Sequence, residues 1–235
     1  RFEQGRTTKF NFGNVMEQIN EIDEDDNDSD YTVGKDLRIE LGDMDRISWR
    51  QKLSDDHEVL SELIEKIRLI TPDHDLKLRE LEKVIKEKLE NPINGDNKKI
   101  VIFTAFADTA DYLYGEISGA IKDKFSLNTG VITGSRNPET NCAGVAKDFN
   151  SILTCFSPKS KNRDAFGAAL ADKDIDILIA TDCISEGQNL QDCDYLINYD
   201  IHWNPVRIIQ RFGRVDRIGS DNKQIQLVNF WPNVD

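Results

Sequence analysis

The 235-residue chain is poor in the groups that build several familiar kinds of site. Its four cysteines, Cys142, Cys155, Cys183 and Cys193, lie far apart and are joined by only three histidines. None of them pair at the close spacing of a structural zinc site, and so sparse a set does not make a disulfide framework. No metal site is therefore expected, and reduced thiols point to an intracellular, cytoplasmic protein. Apolar runs are short, none of a length to span a bilayer, and the start shows no basic-then-apolar leader, so no membrane partner is expected. Positive charge is scarce as well. Lys and Arg number 30 against 43 acidic residues, a formal charge of -13. That balance excludes a broadly basic nucleic-acid coat and confines any phosphate contact to a local patch. Also missing is any Gly-x-x-x-x-Gly-Lys-Ser/Thr run, so the chain has no phosphate-cradling loop of its own. Asp23-Glu24-Asp25-Asp26 does not stand in for a metal-binding acidic box, because it lies within a string of acids from Glu21 to Asp30 rather than at the end of a buried strand. The opening on Arg1, without a methionine, reads as a fragment of a longer protein.

What is present suffices for one good core and a helical annex. Up to about residue 45 the pattern is weak: Phe10, Phe12, Val15, Met16 and Ile19 suit one face of a short helix that Gly13 interrupts. From Ile47 to Leu69, the spacing of Leu53, Leu60, Leu63, Ile64 and Ile67 predicts a long helix broken by Thr71-Pro72. A second helix is expected from Asp75 to Leu89, with Leu78, Leu81, Val84, Ile85 and Leu89 on one face, closed by the loop Asn91 to Asn97. The two read as a helical hairpin packed on the domain behind it. Beyond them strand and helix alternate. Buried strands are expected at Ile100–Phe103, Ile177–Ala180 and Tyr195–Tyr199, and further strands at Thr129–Thr133 and Ile225–Phe230. Between the first two lies a helix carrying Ala110, Leu113, Tyr114, Ile117 and Ile121, capped by Asp108 or Thr109. Residues 136–165 read as an insertion with one helix around Val145 to Leu153, and a short helix is expected from Phe166 to Leu170. The basic cluster Lys159, Lys161 and Arg163 reads as a solvated loop in preference to a phosphate contact. Alternation of this kind gives an α/β fold with a mostly parallel sheet covered by helices on both faces.

The densest signal runs from Ile177 to Ser220. After the strand at Tyr195, Asn204 is placed to accept from the free amides of a helix and Pro205 fits its first turn. Val206, Ile209 and Phe212 then fall on one apolar face, with Arg207 and Arg211 on another. Gly213 weakens the helix, and Arg214 and Arg217 follow near its end.

Gln210-Arg211-Phe212-Gly213-Arg214-Val215-Asp216-Arg217 resembles the last signature motif of superfamily two helicases and translocases. Thr181-Asp182 with Glu186-Gly187-Gln188-Asn189-Leu190 resembles the motif that precedes it, in the right order. Ile218-Gly219-Ser220 is similar to the Swi/Snf-like branch, including its bacterial polymerase-associated remodellers, although that branch typically has glutamine at the position of Ser220. Thr104-Ala105-Phe106 resembles the first motif of the family's second lobe. The resemblance implies a RecA-like C-terminal lobe over residues 75–235, preceded by an acidic and helical annex or linker over 1–74.

It further implies that Arg214 and Arg217 are arginine fingers on ATP, that Gln210 couples nucleotide to the other lobe, and that Gly187 and Asn189 lie at the nucleotide. Thr104, Gly134, Ser135 and Thr181 would meet a nucleic-acid backbone along the strand ends, without reading bases. ATP and Mg2+ would be bound mainly by an N-terminal RecA-like lobe of the same parent protein, so this chain alone is expected to be inactive. Nucleic acid is the implied track, DNA in preference to RNA. The alternative from another class is a catalytically silent RecA-like scaffold or interaction module.

Overall fold

The structure, a computed structural model, describes residues 32–33, 39–40, 45–166, 170–184, 187–202 and 204–231. The expectations for Phe10 to Ile19 and for the acids from Asp23 to Asp26 lie outside the described residues, as do Ser185, Glu186 and most of the short helix expected after Phe166. The chain divides into two compact units, Arg1–Ile70 and Thr71–Asp235.

In the first unit, strands β1 (Thr32–Val33) and β2 (Ile39–Glu40) pair antiparallel, and helix α1 spans Arg46–Arg68. Asp45 caps α1 by accepting from the Ser48 amide. Leu60, Leu63, Ile64 and Ile67 are all exposed.

The second unit begins, after a Pro72–His74 turn, with α2 (Leu76–Glu90), capped by the Asp75 carboxylate on the Leu78 amide. Its expected face is buried: Leu78, Leu81, Ile85 and Leu89 all lie in the core. Strand β3 (Ile100–Phe103), helix α3 (Ala107–Phe125), strands β4 (Thr129–Ile132) and β5 (Glu139–Thr140), helix α4 (Phe149–Phe156), strands β6 (Ile177–Ala180) and β7 (Tyr195–Asn198), helix α5 (Pro205–Val215) and strand β8 (Gln226–Asn229) follow. The six strands lie in the order β5-β4-β6-β3-β7-β8, all neighbours parallel except β4 with β5.

Alternation along the central strands divides the core. On one face Val101, Phe103, Leu178, Ala180 and Leu196 meet Ile152, Leu153 and Phe156 of α4 and Val215 of α5. On the other, Ile100, Ile102, Ile177, Ile179 and Ile197 meet α2 and the Ala110, Leu113, Ile117 and Ile121 stripe of α3. Continuous apolar runs are required here because both sides of each strand are covered. Gly130 marks the closest approach: a Cβ there would sit 2.9 Å from Ile152 Cγ2, so β4 accepts α4 only without a side chain at that point.

Two helix starts differ from expectation. Helix α3 begins at Ala107, with Phe106 at the cap position and no side-chain cap, because Asp108 is already in the first turn and is paired with Arg136. Helix α4 begins later than Val145, where Asp148 accepts from the Ser151 amide and supplies the cap that Val145 cannot. No helix among the described residues is long and apolar enough to cross a membrane.

All four cysteines are free thiols, and only Cys183 is exposed. Burial pushes the Cys155 thiol up to about 11 and that of Cys193 up to about 12. Alkylation at neutral pH is therefore expected to modify one thiol per chain in the native state and four in denaturant, since the thiolate is the reactive form. Mass spectrometry of the labelled protein checks this, and rapid native labelling at Cys193 contradicts it.

Candidate functional site

Helix α5 carries most of the residues at issue. Asn204 accepts from the Val206 amide, and Pro205 occupies the first turn, as the sequence predicts. The buried face is a correction. Val206 and Ile209 are exposed at 51% and 68%, whereas Arg211 and Val215 point into the core. A helix following strand ends that carry Asp182 and Asn198 buries an arginine where ordinary amphipathicity would bury Ile209, because paired charge can be interred and unpaired charge cannot.

Arg211 is fully buried. Its Nε donates to Asp182 Oδ1 at 2.6 Å and its Nη2 to Asp182 Oδ2 at 3.0 Å. Its Nη1 donates to Asn198 Oδ1 at 2.9 Å and to the Asp200 carbonyl at 3.2 Å. The guanidinium also stacks over Phe103, 5.1 Å from the ring centre. Asn198 is held in turn by its own amide on Asn229 Oδ1. This side chain ties α5 to the ends of β3, β6 and β7 and across to β8. The sequence alone did not single it out for this task. The available signal was the polar pair Asp182 and Asn198 closing two buried strands.

The other arginines of the motif are spent differently. Among the described residues, no hydrogen bond or ion pair engages the side chains of Gln210, Arg214 or Arg217. Arg214 Nε is buried without a partner, while Arg217 is exposed. Strands β7 and β8 are parallel neighbours joined through α5, so the helix runs back along the sheet and its C-terminal end lies toward the strand beginnings. The loop after β6 descends beside it and is fastened there by the Leu190 amide donating to the Arg214 carbonyl. Gly187 takes φ +75 in this loop, a backbone that favours glycine. An open cleft of about 400 Å³ results, lined by Asn189, Gln191, Gly213, Asp216, Arg217 and Ile218. Arg217 and Asn189 are thus brought together. Arg214 borders the same helix end without lining the cleft.

Thr104, Gly134, Ser135 and Thr181 lie elsewhere, on the carboxyl ends of the adjacent strands β3, β4 and β6. The Thr104 amide donates to the Ala180 carbonyl and the Thr181 amide to the Ile132 carbonyl, which closes the three strand ends into one edge. A Cβ on Gly134 would meet Cys183 Cβ at 3.4 Å, so that turn sits directly against the loop after β6. Ser135 is exposed. Thr104 is fully buried and its hydroxyl donates to the Phe106 carbonyl, so it shapes the turn from within.

The basic cluster is consumed internally. Lys159 pairs with Asp221, Lys161 donates to Gln188 Oε1, and Arg163 donates to the Lys173 carbonyl and Asp174. A larger hollow of about 680 Å³ opens among the loops before β3, β7 and β8, and none of the predicted site residues lines it.

A mostly parallel six-stranded sheet with helices on both faces is the architecture of a RecA-like lobe. Residues 76–219 match the family model described as helicase conserved C-terminal domain, and the chain belongs to that family. It is 53% identical over 55 residues to an uncharacterized ATP-dependent helicase of Bacillus subtilis, YqhH, a match covering 23% of this chain and 10% of that protein. It is 28% identical over 159 residues to the ATP-dependent DNA helicase fml2 of Schizosaccharomyces pombe, so described on a putative basis, covering 67% of this chain and 18% of that one. To the RNA polymerase-associated protein RapA of Pectobacterium carotovorum it is 37% identical over 93 residues, 40% of this chain and 9% of the relative. RNA helicases of pre-mRNA splicing match as well. The aligned part is less than a fifth of the length of each of these relatives.

Proposed function

We propose that the chain is the second motor lobe of an ATP-dependent helicase or translocase. In this reading its arginines complete an ATP site whose phosphate cradle and magnesium ligands come from an N-terminal RecA-like lobe of the same parent protein. The observation that carries this is the contrast among the neighbouring arginines of one motif. Arg211 has its guanidinium engaged inside the fold, whereas Arg214 and Arg217 have none of their donors engaged among the described residues. Leaving a buried donor without an acceptor costs about 1–3 kcal/mol, so a partner for Arg214 Nε supplied from outside this lobe would be stabilising.

The residues present suit a polyphosphate. Arg217 and the Asn189 amide offer donors on one cleft, Gly187 permits close backbone approach, and a single carboxylate, Asp216, lines the cleft. Arg217 then places fixed positive charge where a transferring phosphoryl group gathers negative charge. Gln210, exposed on the turn before Arg214, faces outward to couple to the other lobe. On the strand-end edge, Thr181, Ser135 and the Gly134 turn contact the nucleic-acid backbone, with Thr104 holding that turn. Such contacts position without reading sequence. DNA is favoured over RNA as the track by the Arg217-Ile218-Gly219-Ser220 ending.

The isolated chain is expected to show no ATP turnover above an Arg217→Ala control, because it has no phosphate loop. Turnover well above that control contradicts the division of labour between lobes.

A further inference from the structure

Arg217 stands two residues beyond the last residue of α5, on the connection to β8, so the placement of its side chain depends on what fixes that connection. Three asparagines do so. Asn222 Nδ2 donates to the carbonyls of Gln191, at 3.0 Å, and Cys193, at 3.2 Å. Its Oδ1 accepts from Asn97 Nδ2 at 3.0 Å, and Asn97 also donates to the Asp192 carbonyl at 2.9 Å. Asn94 accepts from the amides of Lys223 and Gln224 at 3.0 and 3.2 Å and donates to the Gln224 carbonyl at 2.7 Å and to Asp194 Oδ2 at 2.9 Å.

Closer to Arg217, Ser220 Oγ donates to the Gln191 carbonyl and accepts from the Asn222 amide, while the Ser220 amide donates to the Arg217 carbonyl. The other end of the network reaches α2. Lys88, in its last turn, is fully buried, lies 2.7 Å from Asp194 Oδ1 and donates to the Asn97 carbonyl at 2.8 Å. Gln191, on which Ser220 and Asn222 converge, also lines the cleft that holds Arg217 and Asn189. Nearly every polar atom of these asparagine side chains is engaged, across sequence separations of about a hundred residues. That is far more than is needed to close a surface loop, for which local turn bonds suffice.

We infer that Asn97 and Asn222 are positioning residues for Arg217: they lock the α5–β8 connection against the loop before β7 and the end of α2, and so set where the guanidinium stands in the cleft. This rests on the reading of Arg217 as a group acting on ATP. A misplacement of about 1 Å at such a group costs on the order of 10²-fold in rate.

The test is steady-state ATP hydrolysis by the parent protein carrying Asn222→Ala, Asn97→Ala or Ser220→Ala, each alone and combined with Arg217→Ala. Asn222→Ala is expected to lower kcat on the order of 10²-fold with KM nearly unchanged. In the Arg217→Ala background it is expected to lower kcat no further, because the group it positions is gone. Should Asn222→Ala not fold, Ser220→Ala, which removes one hydroxyl from a half-exposed site, carries the same cycle with a smaller drop. If Arg217→Ala lowers kcat while Asn222→Ala and Ser220→Ala do not, or if their losses persist undiminished in the Arg217→Ala background, the positioning role is overturned. If Arg217→Ala itself leaves kcat unchanged, the reading beneath it fails and the inference falls with it.

Discussion

Replacing Arg217 by alanine in the parent protein is expected to lower kcat for ATP by about 10³ to 10⁵-fold, the range measured for arginine fingers elsewhere. The same change should leave the fold untouched. Arg217 is exposed and its side chain makes no hydrogen bond among the described residues, so no hydrogen bond or ion pair is lost there. Arg217→Lys is expected to recover little, since an ammonium lacks the planar fork that matches phosphate oxygens. Arg214→Ala sharpens the point. Its Nε is buried without a partner, so the truncation removes a penalty and thermal stability should be unchanged or raised while activity falls. Parallel loss of stability and activity in either variant would instead mark these arginines as structural. Turnover by stopped assay beside thermal melting of each variant separates the two.

Asp182→Ala is expected to produce the opposite pattern, with stability lost first. Asp182 accepts two bonds from Arg211, which is fully buried, so its removal leaves a cation in the core with only the neutral acceptors Asn198 Oδ1 and the Asp200 carbonyl. Breaking a buried pair in this way costs about 3–5 kcal/mol. For a unit of this size, that corresponds to a fall in Tm on the order of 10 °C. Arg211→Met is expected to cost less, because Asp182 retains some exposure to water, 25% of its side chain, whereas the methionine fills the space beside Phe103 with apolar atoms. A smaller loss for Asp182→Ala than for Arg211→Met would mean that the bonds to Asn198 and Asp200, rather than the ion pair, hold α5. Urea unfolding of both variants decides between them.

Much of the sheet was legible because the central strands are short apolar runs closed by a polar or small residue: Ile100–Phe103 and Ile177–Ala180 are buried at every position, whereas the two-residue edge strand Glu139–Thr140 has no such run and was not expected. The start of α5 was equally plain, since Asn204 and Pro205 announce it by local chemistry. Faces were harder. Periodicity assigned Val206, Ile209 and Phe212 inward, but an interaction between Arg211 and residues nearly thirty positions earlier rotated the helix, and no local pattern encodes such a pairing. The cap of α3 was misplaced for a similar reason, because Asp108 is drawn to Arg136 in the turn after β4. At the site, the order of residues named the candidates but not their grouping. The unspent Arg217 meets Asn189 at one end of α5, and Thr181 and Ser135 share a different edge, a separation that follows from α5 running antiparallel to the strands. The asparagine network was invisible, since Asn94, Asn97 and Asn222 read singly as turn residues.

The decisive experiment is the ATPase activity of the parent protein measured with duplex DNA, single-stranded DNA and RNA, each beside the Arg217→Ala variant at equal salt. Stimulation by duplex DNA above the other two, abolished by Arg217→Ala with melting unchanged, is the expected result. Turnover indifferent to every nucleic acid and to Arg217 would contradict the motor assignment and leave a RecA-like scaffold in its place.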